Sequence, residues 1–168
     1  MGPVDAPKDA ATIGAQIEAV YETHLPVADL SRSIAFYRDV LGLELASQPP
    51  ERGVAFFWVG ARATGMLGLW HAGSAPLRMT LHCAFRMPKA SLLRACAELA
   101  GFGVQPLGFH GEPVEEPVVI GWMPALSVYF KDPDGHSLEL IHVLDEAPDP
   151  DFGFQPCSKW REAHSAAR

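Results

Sequence analysis

The chain of 168 residues is predicted to fold as an α+β protein, and three observations carry that expectation. Strand-like runs rich in Val, Phe, Leu and Trp dominate the text. Two stretches with helical apolar spacing interrupt them. The order strand, helix, strands also occurs twice: His24 stands 18 positions before Gly42, and His82 stands 19 before Gly101. Identity between the halves is low, so the repeat rests on layout. With strands in excess, each helix must cover a sheet, which gives α+β.

The elements follow in order. Residues 1–16 are rich in Ala, Pro and Asp and are expected to form a flexible tail. "IEAVYETHLPV" reads as a strand, and "ADLSRSIAFYRDVLGLEL" as a helix with Asp29 or Ser31 at its start. Ile34, Tyr37 and Leu41 line its apolar face, and Gly42 suits its stop. "VAFFWVG" and "TGMLGLWHA" are strand-like. In the second half, "RMTLHCAF" reads as a strand. "MPKASLLRACAELAGFG" reads as a helix, with Leu92, Cys96 and Leu99 on one face. A connection rich in Pro and Gly, "QPLGFHGEPVEEPVVIGWMP", leads to the hairpin "SVYFKDPDGHSLELIHVL". Pro133 and Gly135 make its turn.

Composition narrows the function. Hydrophobic residues make up 48%, enough for a packed core, and the length suits one domain. A net charge of -7 argues against a broad nucleic-acid footprint. No apolar run has membrane-spanning length, and "MGPVDAPKDAATIGAQ" lacks the core of a signal peptide. A cytoplasmic location is therefore expected. Cys83, Cys96 and Cys157 are scattered and odd in number, so neither a disulfide framework nor a CxxC metal motif is expected.

Three residues stand out as chemistry. His24 and His82 occupy equivalent places, each in the strand before a helix. Glu139 lies among Leu138, Leu140, Ile141 and Val143, where both strand faces are apolar. A buried carboxylate without a partner costs several kcal/mol or more, so something must compensate it. Two imidazoles and one carboxylate bind divalent Fe, Mn, Ni, Co or Zn and leave positions open for substrate. Taken singly, each residue is more often structural than a ligand; the repeat relation between the histidines raises the odds.

"THLPVADLSRSIAFYRDVLGLEL", "LHCAF" and "YFKDPDGHSLELIHV" together resemble the vicinal oxygen chelate superfamily of glyoxalases, bleomycin resistance proteins and dioxygenases. The resemblance covers about Ile17 to Leu144. It implies a single domain at 17–145, with module one at about 17–75, module two at about 76–145, and a C-terminal extension at 146–168. It implies two βαβββ modules whose curled mixed sheets surround a metal cleft, often in a homodimer. By the match, His24, His82 and Glu139 are metal ligands, and a fourth family position falls near Gly68. Glyoxalase I carries a glutamate there, so its usual reaction is disfavoured. Ser127 and Tyr129 match substrate-side positions, with Glu139 and Tyr129 as the catalytic pair and Tyr129 as a hydrogen-bond donor. Pro26, and the acidic "GEPVEEPVVIGW", depart from the fosfomycin thiol transferases and argue against a phosphonate substrate.

The resemblance thus implies a metal-dependent enzyme acting as a Lewis acid on oxygens of a small substrate. Lyase or isomerase chemistry, thiol transfer and ring-cleaving oxidation all remain open, as does sharing of the site across a dimer. The alternative is a metal-free protein that sequesters a small molecule, as bleomycin-resistance proteins do. His71 is read as an end-of-strand residue, His136 as structural and His142 as packing. The stretch holding His110 and Trp122 is read as a surface loop rather than a lid.

Overall fold

The computed structural model describes residues 18–72 and 79–165. The expected N-terminal tail and the boundary between the modules near residue 75 lie outside the described residues.

Two open mixed sheets form the architecture. The first contains β1 (Glu22–Val27), β2 (Glu44–Ser47), β3 (Val54–Trp58) and β4 (Met66–His71), in the order β1-β4-β3-β2. The second contains β5 (His82–Arg86), β6 (Val118–Ile120), β7 (Ala125–Lys131), β8 (Ser137–Val143) and β9 (Phe154–Pro156), in the order β5-β8-β7-β6-β9. Each sheet begins with a parallel pair, β1 with β4 and β5 with β8, and continues antiparallel. The twofold layout in the sequence is therefore a repeat of sheet topology, and neither sheet closes into a barrel.

Helix α1 (Leu30–Ala35) runs into a π-helical turn at Phe36–Val40. Asp29 is its cap, accepting from the Arg32 amide at 3.0 Å. Gly42 ends the segment with a φ of 66°, a conformation that costs glycine little. In the second half the predicted helix is broken in two, α2 (Lys89–Leu92) and α3 (Ala95–Gly101). Leu92, Cys96 and Leu99 are all buried on its inner face, as their spacing requires.

The tail after residue 145 adds β9 to the second sheet, then α4 (Cys157–Ser165). Cys157 and Trp160 of α4 are buried in the main core. One face of each sheet supplies that core, with Leu25, Val27, Phe57 and Leu69 from the first and Val128, Phe130 and Leu138 from the second. Because side chains alternate along a strand, His24, His82 and Glu139 sit on the opposite faces.

The DPDG turn ties the halves together. Asp132 is buried and accepts from the Tyr37 hydroxyl (3.0 Å) and from the amides of Asp134 (3.0 Å) and His136 (2.8 Å). Asp134 reaches into the first half, where it accepts from the Ala28 amide, the Ser33 hydroxyl and Arg32. The buried His136 ring is fixed in one tautomer. Its Nδ1 accepts from the Leu81 amide (3.0 Å), so its proton lies on Nε2 and donates to the Pro26 carbonyl (2.6 Å). His136 is thus a structural bridge from the turn to β1.

Candidate functional site

Two clusters of candidate residues face away from the core, one on each sheet. On the second sheet, strand register brings Tyr129 opposite Glu139 and His82 opposite Ser137. Glu139 is 5% exposed, yet both of its oxygens are engaged. Ser127, fully buried, donates to Oε1 at 2.5 Å, and His82 Nε2 lies 3.2 Å from Oε2. The compensation demanded by an acid in an apolar strand is therefore a hydroxyl on one side and an imidazole on the other. The His82 side chain is 51% exposed, so this corner opens outward.

The His82–Glu139 spacing fits an ion. Two donors each about 2.1 Å from one metal, at roughly a right angle, stand about 3 Å apart. An Nε2–H···O hydrogen bond has similar length, so the pair is comfortable in either state. Tyr129 completes the corner. Burial, with the Glu139 carboxylate alongside, pushes its hydroxyl well above the ordinary tyrosine range. It stays protonated at neutral pH and acts as a donor.

On the first sheet His24 has different company. The Trp70 indole stacks at 5.6 Å from the His24 ring, and its Nε1–H donates to His24 Nδ1 at 2.5 Å. With Nδ1 accepting, the neutral ring carries its proton on Nε2, which faces Glu22 at 3.1 Å. A cavity of about 540 Å³ opens here, lined by Glu22, His24, Arg52, Phe56, Trp58 and Trp70 among others. His24 is not brought to His82 and Glu139: among the described residues, no three His, Cys, Asp or Glu side chains group to hold a metal ion.

The repeat explains the difference. His82 pairs with Ser137, and Glu139 lies two residues further along β8. His24 pairs with Gly68, and Trp70 lies two residues further along β4. An indole thus contacts His24 where a carboxylate contacts His82. Gly68 makes room for this, since a Cβ there would lie 3.3 Å from both the His24 ring and Phe56. Gly68→Ala is expected to push the imidazole off Trp70 and to destabilise the fold by about 1 kcal/mol in urea unfolding. Unchanged or raised stability would show that the ring gives way freely.

Other histidines take structural places. His142 Nδ1 lies 2.9 Å from the Met87 carbonyl, and His71 ends β4, exposed. The connection holding His110 is pinned to β7 by paired backbone bonds between Leu107 and Tyr129. Its Phe109 stacks on Phe154 at 3.6 Å and meets Tyr129 edge-on at 6.0 Å. Phe109 and Trp70 were missed from sequence, because a loop contact and the strand register place them. The three cysteines are free, and burial raises each thiol, Cys96 to about 11. None has the low thiol pKa of a nucleophile.

No helix among the described residues is long and apolar enough to cross a membrane. A search of curated proteins found no match. Among solved structures, the chain is similar to an integron cassette protein from the mobile metagenome of the Halifax Harbour sewage outfall. That similarity is 30% identity over 76% of this chain and 100% of the other, with a TM-score of 0.65. It is also similar to lactoylglutathione lyase from Agrobacterium tumefaciens, at 27% identity over 74% of this chain and 93% of the other, with a TM-score of 0.57. The oxidase ChaP-H2, 20% identical over 79% of this chain and 98% of its own, shares the fold at a TM-score of 0.59. The family model for the Glyoxalase/Bleomycin resistance protein/Dioxygenase superfamily matches residues 17–140. With its paired sheets and these likenesses, the chain has a glyoxalase-like fold and belongs to that superfamily.

Proposed function

We propose that the protein is a metal-dependent enzyme that acts on a small molecule through chelated oxygens. The observation that carries this reading is the buried Glu139, held by Ser127 on one oxygen and set 3.2 Å from His82 on the other. His82 and Glu139 of one chain hold a divalent Fe, Mn, Ni, Co or Zn ion, and His24 of a second copy supplies the third ligand. Both histidines are about half exposed and both sheets are open, which leaves room for a second molecule to bring the half-sites together. In the dimer His24 gives up the Trp70 bond, moves its proton to Nδ1 and frees Nε2.

The ion supplies Lewis acidity to the substrate oxygens. Ser127 orients the carboxylate, and Tyr129 binds a substrate oxygen and lends it a proton. The class of reaction is lyase or isomerase, thiol transfer or dioxygenation. Protein purified without chelator is expected to hold about one ion per chain, and His24→Ala to lose it. Less than about half an equivalent, unchanged by His24→Ala, would overturn the reading. Ser127→Ala is expected to weaken metal binding about tenfold or more, because a ligating carboxylate loses its orienting bond. Titration with a competing chelator measures this, and equal affinity would remove Ser127 from the site.

A second reading is a metal-free binder that sequesters a small molecule. One observation favours it: within the chain, both nitrogens of His24 already have partners, Trp70 and Glu22.

A further inference from the structure

The cavity on the first sheet has a chemistry that a metal site does not need. It has about 540 Å³ of space, room for a bicyclic molecule, and its walls are largely aromatic. Phe56 stands edge-on to both His24 (6.1 Å) and Trp70 (6.5 Å), so the three rings form a fixed corner. Trp58 and Met66 extend the apolar wall. Arg52 is placed with its guanidinium 5.5 Å from the centre of the Trp70 ring. It forms no ion pair among the described residues, whereas Glu22 in the same cavity is engaged by His24.

We infer that this cavity binds a planar aromatic carboxylate, with its ring against Trp70 and Phe56 and its carboxylate on Arg52. The inference rests on the reading above in taking this cavity as the substrate side of the completed site. Three observations give the class. The Trp70 indole, stacked on and bonded to His24, makes the wall of this cavity a stacking surface. Indole and phenyl faces favour flat π-systems over saturated rings of equal area. A guanidinium held over an aromatic face and lacking an acidic partner offers a bidentate fork for a carboxylate. A neutral aromatic would leave that fork unused, and a saturated acid would forgo the stack.

Isothermal titration calorimetry with 2-naphthoate, 2-naphthalenemethanol and cyclohexanecarboxylate tests this on the full chain. Each titration is run on protein as purified and again after metal removal. Naphthoate is expected to bind in both states and at least about tenfold more tightly than either comparison ligand. Arg52→Gln, an exposed change, is expected to weaken naphthoate about tenfold and to leave the alcohol within about twofold. Trp70→Leu is expected to weaken both aromatic ligands about tenfold. Equal binding of the three ligands, or naphthoate binding unaffected by Arg52→Gln, overturns the inference. So does naphthoate binding that vanishes with the metal, since the cavity would then contribute no affinity of its own. Loss of the metal reading alone leaves the naphthoate preference intact, and loss of the preference leaves metal content intact, so the two failures are distinct.

Discussion

Glu139→Ala is expected to lower metal affinity by more than about 100-fold and to leave the purified protein nearly free of metal. The size follows from the surroundings. Among the described residues Glu139 is the acid paired with His82, and His82 alone is a single imidazole on an exposed edge strand. One neutral nitrogen binds a divalent ion weakly. Glu139→Gln separates charge from shape: it keeps an oxygen for the Ser127 hydroxyl and keeps the volume, but removes the charge. It is expected to lose metal almost as fully while unfolding near the wild-type urea concentration. The alanine variant also leaves the buried Ser127 hydroxyl without its acceptor, which costs about 1–3 kcal/mol. Metal content by elemental analysis and urea unfolding on both variants check this. A glutamine variant that retains a full equivalent of metal would remove Glu139 from the ligand set.

Asp132→Ala is expected to destabilise the fold by about 3 kcal/mol. One buried carboxylate there accepts from the Tyr37 hydroxyl and two turn amides, and alanine leaves all three donors unsatisfied. For a domain of this size the melting temperature should fall by about 10 °C. Tyr37→Phe is the gentler change, at about 1 kcal/mol, because Asp132 keeps its amide donors. Tyr37 also gives a pH signature. Burial above all, with Asp132 beside it, raises its hydroxyl far above the ordinary tyrosine value of about 10. Its neutral form is therefore favoured in the folded state. The stabilisation is complete below the unfolded tyrosine value and is lost as pH climbs above it. Above about pH 10 stability should fall by up to about 1.4 kcal/mol per pH unit from this group. Urea unfolding from pH 8 to 11 should show that slope reduced in Tyr37→Phe. An unchanged slope would mean that Tyr37 ionises freely in the folded protein.

Much of this was legible in the sequence because it is local. Asp29 before a helical run, Gly42 after it and the DPDG turn are short signals whose geometry lies within a few residues. Glu139 was legible as an anomaly, an acid on a strand with two apolar faces. That His24 and His82 each lie in a strand before a helix was read from spacing. The rest depends on register between distant strands. That Trp70 meets His24 follows from the parallel pairing of β1 with β4, and no local pattern encodes it. The break between α2 and α3 at Leu93 and Arg94 left the apolar periodicity intact, so the pattern read as one helix. Strand β9 is three residues long and gains its place by pairing with β6, and Phe109 reaches Tyr129 through a loop. Tertiary context decides both.

The sharing of the site between two copies is open to one direct measurement. His24→Ala and Glu139→Ala chains carrying different tags are co-expressed, and the dimer bearing both tags is isolated. If a site takes His24 from one chain and His82 with Glu139 from the other, one of the two sites in this mixed dimer has all three ligands. The expected content is about one metal ion per mixed dimer, against nearly none in either single-variant dimer. A mixed dimer as empty as the two parents would contradict a shared site, because each of its chains then lacks a ligand of its own.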